Sequence, residues 1–339
     1  MTMRSGKPGQ RRRGNAEAGF TLIEVLTALV ILSIAMTAVF ATFLSQQQTY
    51  TSQSRVAEMQ QNLRAAADYM TRDLRLAGYG MPLTTGTSSD NVVVPASANP
   101  AGITTIRSLF AVDNTAGPDQ VYVLYLYDMD ANQPPTDLTA AMADFTTVAV
   151  DNTVAHGFLS TGNELALVTD GITADLYQTT AATATSLTFG GDYTAGHTKL
   201  YGMGPPVTVV AKARFVRYFI DNTTDPDHPT LMVDRMIAGQ VPQPVADDIE
   251  DLQLTYGLDT DGDGVVDTIR SGNGGTVLAA GEIPRIRRVR LHLVARSRRP
   301  EKDWSGIRPA VANRAGAATT DGYRRRTIEV NIDVRNSGT

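Results

Sequence analysis

Aspartates recur at short intervals in one segment of the chain, residues 259–267. With Gly264 at the sixth position, this spacing reproduces the beginning of an EF-hand calcium loop, in which alternate residues deliver several hard oxygen ligands together. The candidate ligands are Asp259, Asp261, Asp263, the backbone carbonyl of Val265, and Asp267. Arg270 stands where an EF-hand has its bidentate glutamate, so a complete EF-hand is excluded.

Two interpretations of this acidic loop remain open. We expect a short calcium loop of roughly millimolar affinity, as in extracellular modules, because four carboxylates within nine residues repel one another without a cation. The alternative is a β-hairpin turn, rich in aspartate and glycine, that binds no metal.

A second notable carboxylate, Glu24, lies in an apolar segment where a charged side chain is costly. The stretch from Phe20 to Leu44 has 25 residues, and Glu24 is its only charged side chain. As a helix this stretch would extend over roughly 37 Å, which is enough to cross a bilayer core of about 30 Å. A carboxylate inside a membrane helix costs about 2.5–3.5 kcal/mol, so we expect Glu24 to serve a partner. The alternative is an interfacial glutamate whose carboxylate reaches water.

Basic residues precede this apolar stretch. Residues 1–19 carry five basic side chains against the single acid Glu17, a sum of +4, which leaves −9 on the remaining 320 residues because the whole chain carries −5. The positive-inside rule then predicts a cytoplasmic leader, one membrane span over 20–44 and an external remainder. The span is about twice as long as the apolar part of a secretory signal, and no Ala-x-Ala cleavage site follows it.

Composition narrows the function classes. The chain has no cysteine, which excludes disulfides, thiolate zinc sites and cysteine nucleophiles. A pI near 5.4 argues against a general nucleic-acid binder. Arginines cluster at 285–299 and 324–326, and we interpret them as a solvated strand face or subunit contacts rather than a DNA site. No HExxH, GxSxG or Walker motif is present, so the sequence contains no specific signal for an enzyme.

The hexapeptide Gly19-Phe20-Thr21-Leu22-Ile23-Glu24 resembles the processing site of type IV pilins and type II secretion pseudopilins. The resemblance implies that a prepilin peptidase cuts between Gly19 and Phe20 on the cytoplasmic side and methylates the new terminus at Phe20. Glu24 then becomes the fifth residue of the processed chain. In a filament, its charge would be compensated by the N-terminal amine of a neighbouring subunit.

Beyond the span, helical periodicity continues to about Ala77. We therefore predict one long helical segment over 20–80, including its stop. Its membrane part covers 20–44 and its amphipathic part 45–78, and Gly78 to Pro82 supply a strong stop signal. The apolar stripe is expected to pack on the protein's own sheet rather than form a coiled coil. It consists of Val56, Met59, Leu63, Ala66, Met70, Leu74 and Ala77.

Residues 81–339 form a head in which short alternating segments predict a β-rich, antiparallel structure. The expected fold class is therefore α+β, a long helix packed on antiparallel strands. Residues 83–118 and 129–160 are expected to be long loops. The predicted strands are Val121–Tyr127, Glu164–Thr169, Leu176–Gln178, Ser186–Phe189, Val207–Ile220 (broken or bent), Thr230–Val233, Leu252–Tyr256, Arg288–Ala295 and Thr327–Val334.

Several further segments are similar to the minor pilins of the PilW type. The similarity is strongest before residue 80 and patchy after it. The segments are 46–48, 58–62, 72–79, 249–257 and 334–336.

Membership of that family implies a non-catalytic subunit that helps to initiate type IV pilus assembly near the filament tip. The implied partners are a prepilin peptidase, other minor and major pilins and a tip adhesin. The implied location is the inner membrane, with the N-terminus cytoplasmic and the head periplasmic, and then the extracellular pilus. One alternative is a J-type minor pseudopilin of type II secretion. Another, from a different class, is a membrane-tethered calcium-binding receptor or enzyme.

Overall fold

The computed structural model describes part of the 339-residue chain, and it divides into two units, one ending at Ser54 and one beginning at Arg55. The described residues are 19–81, 92–93, 105–106, 108–127, 135–153, 156–190, 197, 199–237, 239–271, 275–276, 278, 282, 285–302 and 304–334. The leader predicted at 1–19 therefore lies outside them, apart from Gly19.

A single helix, α1, begins at Leu22 and ends at Leu76, close to the predicted limits. Its part in the first unit is apolar and exposed on every side, since each residue from 19 to 51 is exposed. By length and composition, α1 is the one helix among the described residues that is apolar enough to cross a membrane.

The part of α1 in the second unit buries the predicted stripe. Met59, Leu63, Met70 and Leu74 are buried in one core cluster with residues of both sheets, and Val56 packs against that cluster. Each such leucine or methionine contributes about 1.5–3 kcal/mol when it leaves water. The prediction that the stripe packs on the protein's own sheet rather than in a coiled coil is confirmed.

One acid on this buried face was not predicted. Asp73 is 6% exposed, and its carboxylate accepts a hydrogen bond from the Tyr125 hydroxyl at 2.8 Å and another from the Tyr218 hydroxyl at 2.5 Å. Burial, followed by the neighbouring Asp73 charge, raises the pKa of both phenols, so they remain donors. The helix is thus joined to two strands through a satisfied buried carboxylate.

The described strands form two sheets. They are β1 (Val92–Val93), β2 (Thr105–Ile106), β3 (Leu109–Asp113), β4 (Gln120–Leu126), β5 (Thr136–Asp137), β6 (Thr147–Ala149), β7 (Leu165–Thr169), β8 (Ala174–Ala182), β9 (Ser186–Phe189), β10 (Val209–Asp221), β11 (Thr230–Asp234), β12 (Gln243–Ala246), β13 (Ile249–Leu258), β14 (Thr268–Ser271), β15 (Gly275–Thr276), β16 (Ile286–Arg296) and β17 (Arg325–Asp333).

The larger sheet follows the order β15-β3-β4-β10-β7-β8-β1-β2, and β5, β6, β9, β11 and β12 pair off this path. The smaller sheet has the order β14-β13-β16-β17. All described pairings are antiparallel except that of β1 with β8. The predicted fold class, α+β with a long helix on antiparallel sheets, is confirmed.

Two details of the strand prediction were wrong. The segment predicted to be broken or bent is one unbroken strand of 13 residues, β10, which pairs with β7 in its first part and with β4 from Ala213 onward. Strands β3 and β6 lie within segments that were expected to be loops. They form because neighbouring strands supply their hydrogen-bond partners, a contribution that a short local pattern does not contain.

A cluster of buried acids lies beneath the connection from β16 to β17. Asp251 is fully buried and forms ion pairs with Arg308 at 3.3 Å and Arg314 at 2.7 Å. Asp119 accepts hydrogen bonds from the backbone N–H groups of Asn114 and Leu254 at 2.8 and 3.0 Å. Burial raises the pKa of Asp119 to about 7, although these two hydrogen bonds lower it. The nearby charge of Asp251 raises it further.

We expect Asp73→Ala to lower the free energy of unfolding by about 3–5 kcal/mol, because two buried phenol hydroxyls lose a charged acceptor. Asp68→Ala is the matched control, since this acid of α1 is exposed, and we expect a change within about 0.5 kcal/mol. Urea unfolding of the detergent-solubilised chain measures both. Equal effects of the two substitutions would contradict the role given to Asp73.

Asp119 should make stability depend on pH. Its pKa is higher in the folded protein than the ordinary value of 3.8, so its stabilising contribution is complete below about pH 4 and is lost as pH rises through about 7. The loss is at most about 1.4 kcal/mol per pH unit for one proton. Comparing urea unfolding of the wild type and Asp119→Asn from pH 4 to 8 isolates this contribution. A difference that does not vary with pH would contradict it.

Candidate functional site

The carboxylate of Glu24 lies at the beginning of α1 and caps it. Oε2 of Glu24 accepts hydrogen bonds from the Thr21 backbone N–H at 2.9 Å and from the Thr21 hydroxyl at 2.8 Å. In return, the Glu24 N–H donates to Oγ1 of Thr21 at 3.3 Å. This reciprocal arrangement is a capping box, with Thr21 preceding the helix and Glu24 in its first turn.

The capping box was present in the sequence as a threonine followed three residues later by glutamate, and sequence reasoning missed it. The capping box gives Thr21 a role in the helix itself, and a membrane span does not require a threonine there. It also holds the Glu24 carboxylate at the end of the helix, close in sequence to the Gly19–Phe20 bond. The predicted charge pair between Glu24 and a neighbouring subunit involves a second chain and stays a prediction.

The Gly19–Phe20 bond lies in the open. Both residues are exposed, Phe20 at 88%, and a Cβ added to Gly19 would have no heavy atom within 4 Å. The fold of the described chain therefore imposes no need for glycine at this position.

The acidic loop between β13 and β14 is organised around Asp259, which is 1% exposed. Its carboxylate accepts hydrogen bonds from the backbone N–H groups of Gly262 at 2.6 Å and Gly264 at 2.9 Å. The two glycines have φ values of 86° and 87°, a conformation that other residues rarely adopt, and this turns their N–H groups inward.

The four predicted carboxylates do not all come together. Oxygen atoms of Asp259, Asp261 and Asp267 lie within 4.8 Å of one another, whereas Asp263 is not part of this group. Oδ1 of Asp263 instead accepts a hydrogen bond from the Val265 backbone N–H at 2.7 Å. Asp267 accepts two from Thr260, which lower its pKa. Asp263 thus closes a local turn, and its predicted role as a calcium ligand stays a prediction.

An arginine from the neighbouring strand reaches this loop. Nε and a terminal nitrogen of Arg287 in β16 each lie 2.9 Å from Oδ2 of Asp259. Burial raises the pKa of Asp259, but the hydrogen bonds from Arg287, Gly262 and Gly264 outweigh it and lower the pKa below its ordinary value. Arg287 thus supplies positive charge to the acidic loop, and Asp259, Asp261 and Asp267 remain candidate calcium ligands.

Several of the other clustered arginines are also paired with acids within the described chain. Arg288 pairs with Asp333 at 2.9 Å, Arg290 with Glu329 at 3.1 Å, and Arg324 with Glu301 at 2.9 Å. Arg325 forms hydrogen bonds with both Glu250 and Asp321. These four arginines form ion pairs on and beside β16 and β17, and the prediction that the clustered arginines are not a nucleic-acid site stays a prediction.

Calcium affinity tests the loop directly. If the three carboxylates bind calcium in competition with Arg287, then Arg287→Gln should bind it about tenfold more tightly than the wild type, because a competing charge is removed. Asp261→Asn/Asp267→Asn should lose the binding. Calorimetric titration of the full chain in detergent measures each affinity, with magnesium titrated in parallel.

Arg288→Gln is the matched control, since this neighbour on β16 pairs with Asp333 instead of the loop. It should bind calcium as the wild type does. Absence of calcium heat in both the wild type and Arg287→Gln would show that the loop is a metal-free turn closed by arginine.

Two family models match separate parts of this chain. A family model described as Type IV Pilus-assembly protein W matches residues 217–336. Another, described as the prokaryotic N-terminal methylation motif, matches residues 14–40. A solved structure of a type IV-like pilin from Thermus thermophilus shares 11% identity, with a TM-score of 0.38, over 82% of this chain and 97% of that chain. No curated protein matches.

The two family matches lie at opposite ends of the chain. The methylation motif includes the exposed Gly19–Phe20 bond and the capping glutamate, Glu24. The family W match includes the acidic loop, β16 and β17, so it falls on the half in which sequence similarity was expected to be patchy. Together the two matches support a PilW-like type IV pilin, with a methylation motif near one end of the chain and a family W domain near the other.

Proposed function

We propose that this protein is a minor subunit of type IV pili that takes part in the initiation of pilus assembly, near the filament tip, without catalysis. The observation that carries the proposal is the first part of α1. It is apolar, long enough to cross a bilayer and exposed on every side, directly after an N-terminal methylation motif. A helix of this kind needs lipid or other apolar helices around it.

The proposed pathway follows from that requirement. The chain first lies in the inner membrane, with residues 1–19 in the cytoplasm and the second unit in the periplasm, as the positive-inside rule favours. A prepilin peptidase then cuts after Gly19 and methylates Phe20. The exposed Gly19–Phe20 bond and the absence of any steric need for glycine within the described chain support this step.

In the filament, the apolar helix exchanges lipid for the helices of neighbouring pilins. Glu24 would then lie near the Phe20 amine of a neighbour, and the two charges would compensate each other in an apolar bundle. The capping box prepares this contact, because Thr21 already holds the carboxylate at the end of the helix. The tip position and an adhesin partner are the finer parts of the proposal, and they rest on the resemblance to PilW proteins.

The assembly step is tested with Glu24→Gln in the native host, beside Glu24→Ala. We expect membrane insertion and cleavage to persist, while incorporation into sheared pili falls at least about tenfold, since the negative charge is lost in both variants. Mass spectrometry of the intact protein should show a chain that begins at N-methylated Phe20. Immunoblotting of sheared pili measures incorporation.

Asp263→Asn is the control, because this acid lies in the second unit and is exposed. It should incorporate normally. Normal incorporation of both Glu24 variants would contradict the proposed charge pair, and a chain that keeps residues 1–19 would contradict the processing step.

The pseudopilin alternative remains a second candidate because its processing motif is the same. Deleting the gene and scoring both twitching motility and type II secretion separates the two. Loss of twitching alone supports the pilus role, and loss of secretion alone supports the pseudopilus.

A further inference from the structure

A groove of about 510 Å³ lies between the second part of α1 and strand β17. We call it the α1–β17 groove. Its apolar floor includes Ile328 and Val330, which are half-buried. The charged residues along its helix side are Arg64, Asp68, Arg72 and Arg75, all of them exposed.

The charges in this groove are not balanced. Three arginines face one aspartate, and none of these arginines forms an ion pair within 4.0 Å in the described part of the chain. The arginines of β16 and β17 differ, because Arg288, Arg290 and others are paired with acids. The α1–β17 groove therefore offers unneutralised positive charge beside apolar surface, which favours an acidic partner.

Strand β17 also has a free edge among the described residues. It pairs with β16 along its whole length, Arg325 to Asp333, and no other described strand pairs with it. A nine-residue edge presents a row of backbone N–H and C=O groups that can accept another strand.

The two faces of β17 differ in chemistry. Ile328, Val330 and Ile332 face the core and the groove. The acids Glu329 and Asp333 alternate with them, are exposed and pair with arginines of β16 on the opposite face. Among the described residues, the acids on that opposite face are therefore already paired, whereas Arg64, Arg72 and Arg75 in the groove are not.

We propose that the free edge of β17 accepts an extended segment of another protein as an additional strand, with carboxylates at alternate positions that pair with Arg64, Arg72 and Arg75. Alternate residues of an added strand point to one face, so its carboxylates would all meet the helix side of the groove. The three arginines are spread over roughly 16 Å of helix, a distance that about five residues of extended chain cover. This inference does not depend on the proposed tip function.

A second copy of this chain fits the groove less well. If two β17 edges paired antiparallel, the sheet would continue and each face would keep its character. The apolar residues of the second copy would then meet the arginines, and its Glu329 and Asp333 would lie on the far side. The charge arrangement thus favours a different protein that presents acids on the groove face.

Peptide selection tests the proposal, because it shows which amino acids the groove accepts in an added strand. A display library of random ten-residue peptides is selected on the full chain in nanodiscs. We expect the selected peptides to carry Asp or Glu at alternate positions, separated by β-branched or aromatic residues. The bound peptides should also slow hydrogen exchange of the β17 amides.

Affinity of the selected peptides for Arg72→Glu/Arg75→Glu, measured by fluorescence anisotropy, should be at least about tenfold weaker than for the wild type. The matched control is Arg235→Glu/Arg299→Glu, which reverses two exposed arginines outside the groove and should bind normally. If the glutamate variant does not fold, Arg72→Gln/Arg75→Gln takes its place.

Three results would overturn the proposal. The first is a set of selected peptides without acidic bias, and the second is equal affinity for the groove variant and the wild type. The third is self-association of the full chain, measured by sedimentation, that the groove substitutions abolish, because the occupant would then be a second copy.

Discussion

The packing of the second part of α1 against both sheets is the interaction on which the rest of the second unit depends. Its stripe lies in one core cluster with residues of β3, β4 and β10 of one sheet and of β13 and β16 of the other. Asp73 adds a directional element to this apolar contact, because its carboxylate must meet the hydroxyls of Tyr125 and Tyr218. Apolar packing tolerates small shifts along the helix, whereas two short hydrogen bonds to a buried charge do not. The rotation of α1 against the sheets is thereby determined.

The same helix changes its environment along its length. Up to residue 51 its apolar side chains are exposed on all sides, so this chain alone does not satisfy them. From Met59 onward one face is buried and the other carries charge. A membrane-anchored filament subunit requires an unbroken helix that contacts lipid or other helices in one part and packs on its own sheets in the next. Thr21 and Glu24 complete the first part, since they satisfy donor groups at the beginning of the helix.

Charge in the second unit is distributed unevenly. Most strand arginines have partners of opposite charge, and the acidic loop has its own arginine, Arg287. These ion pairs compensate charged side chains whose burial would otherwise be costly. They also leave little uncompensated charge with which a partner protein could pair. Arg64, Arg72 and Arg75 differ because they lie on the exposed side of α1, beside an unpaired strand edge. A binding surface is thus better recognised by charges that the fold leaves unpaired than by the density of arginines in the sequence.

Local signals in the sequence determined the membrane-length helix, the processing motif, the buried stripe and the main strands, because each depends on neighbours within a few residues. The sequence also contained the Asp259 loop and the Thr21–Glu24 cap. Only the tertiary structure decided which charges meet. Asp73 and Tyr218 are 145 residues apart, and Asp259 and Arg287 are 28 apart, so no local spacing connects them. For the same reason, short strands such as β3 formed from segments without a clear pattern. Pairing across distant segments is a property of the folded sheet, and it cannot be read from the periodicity of one strand or one loop.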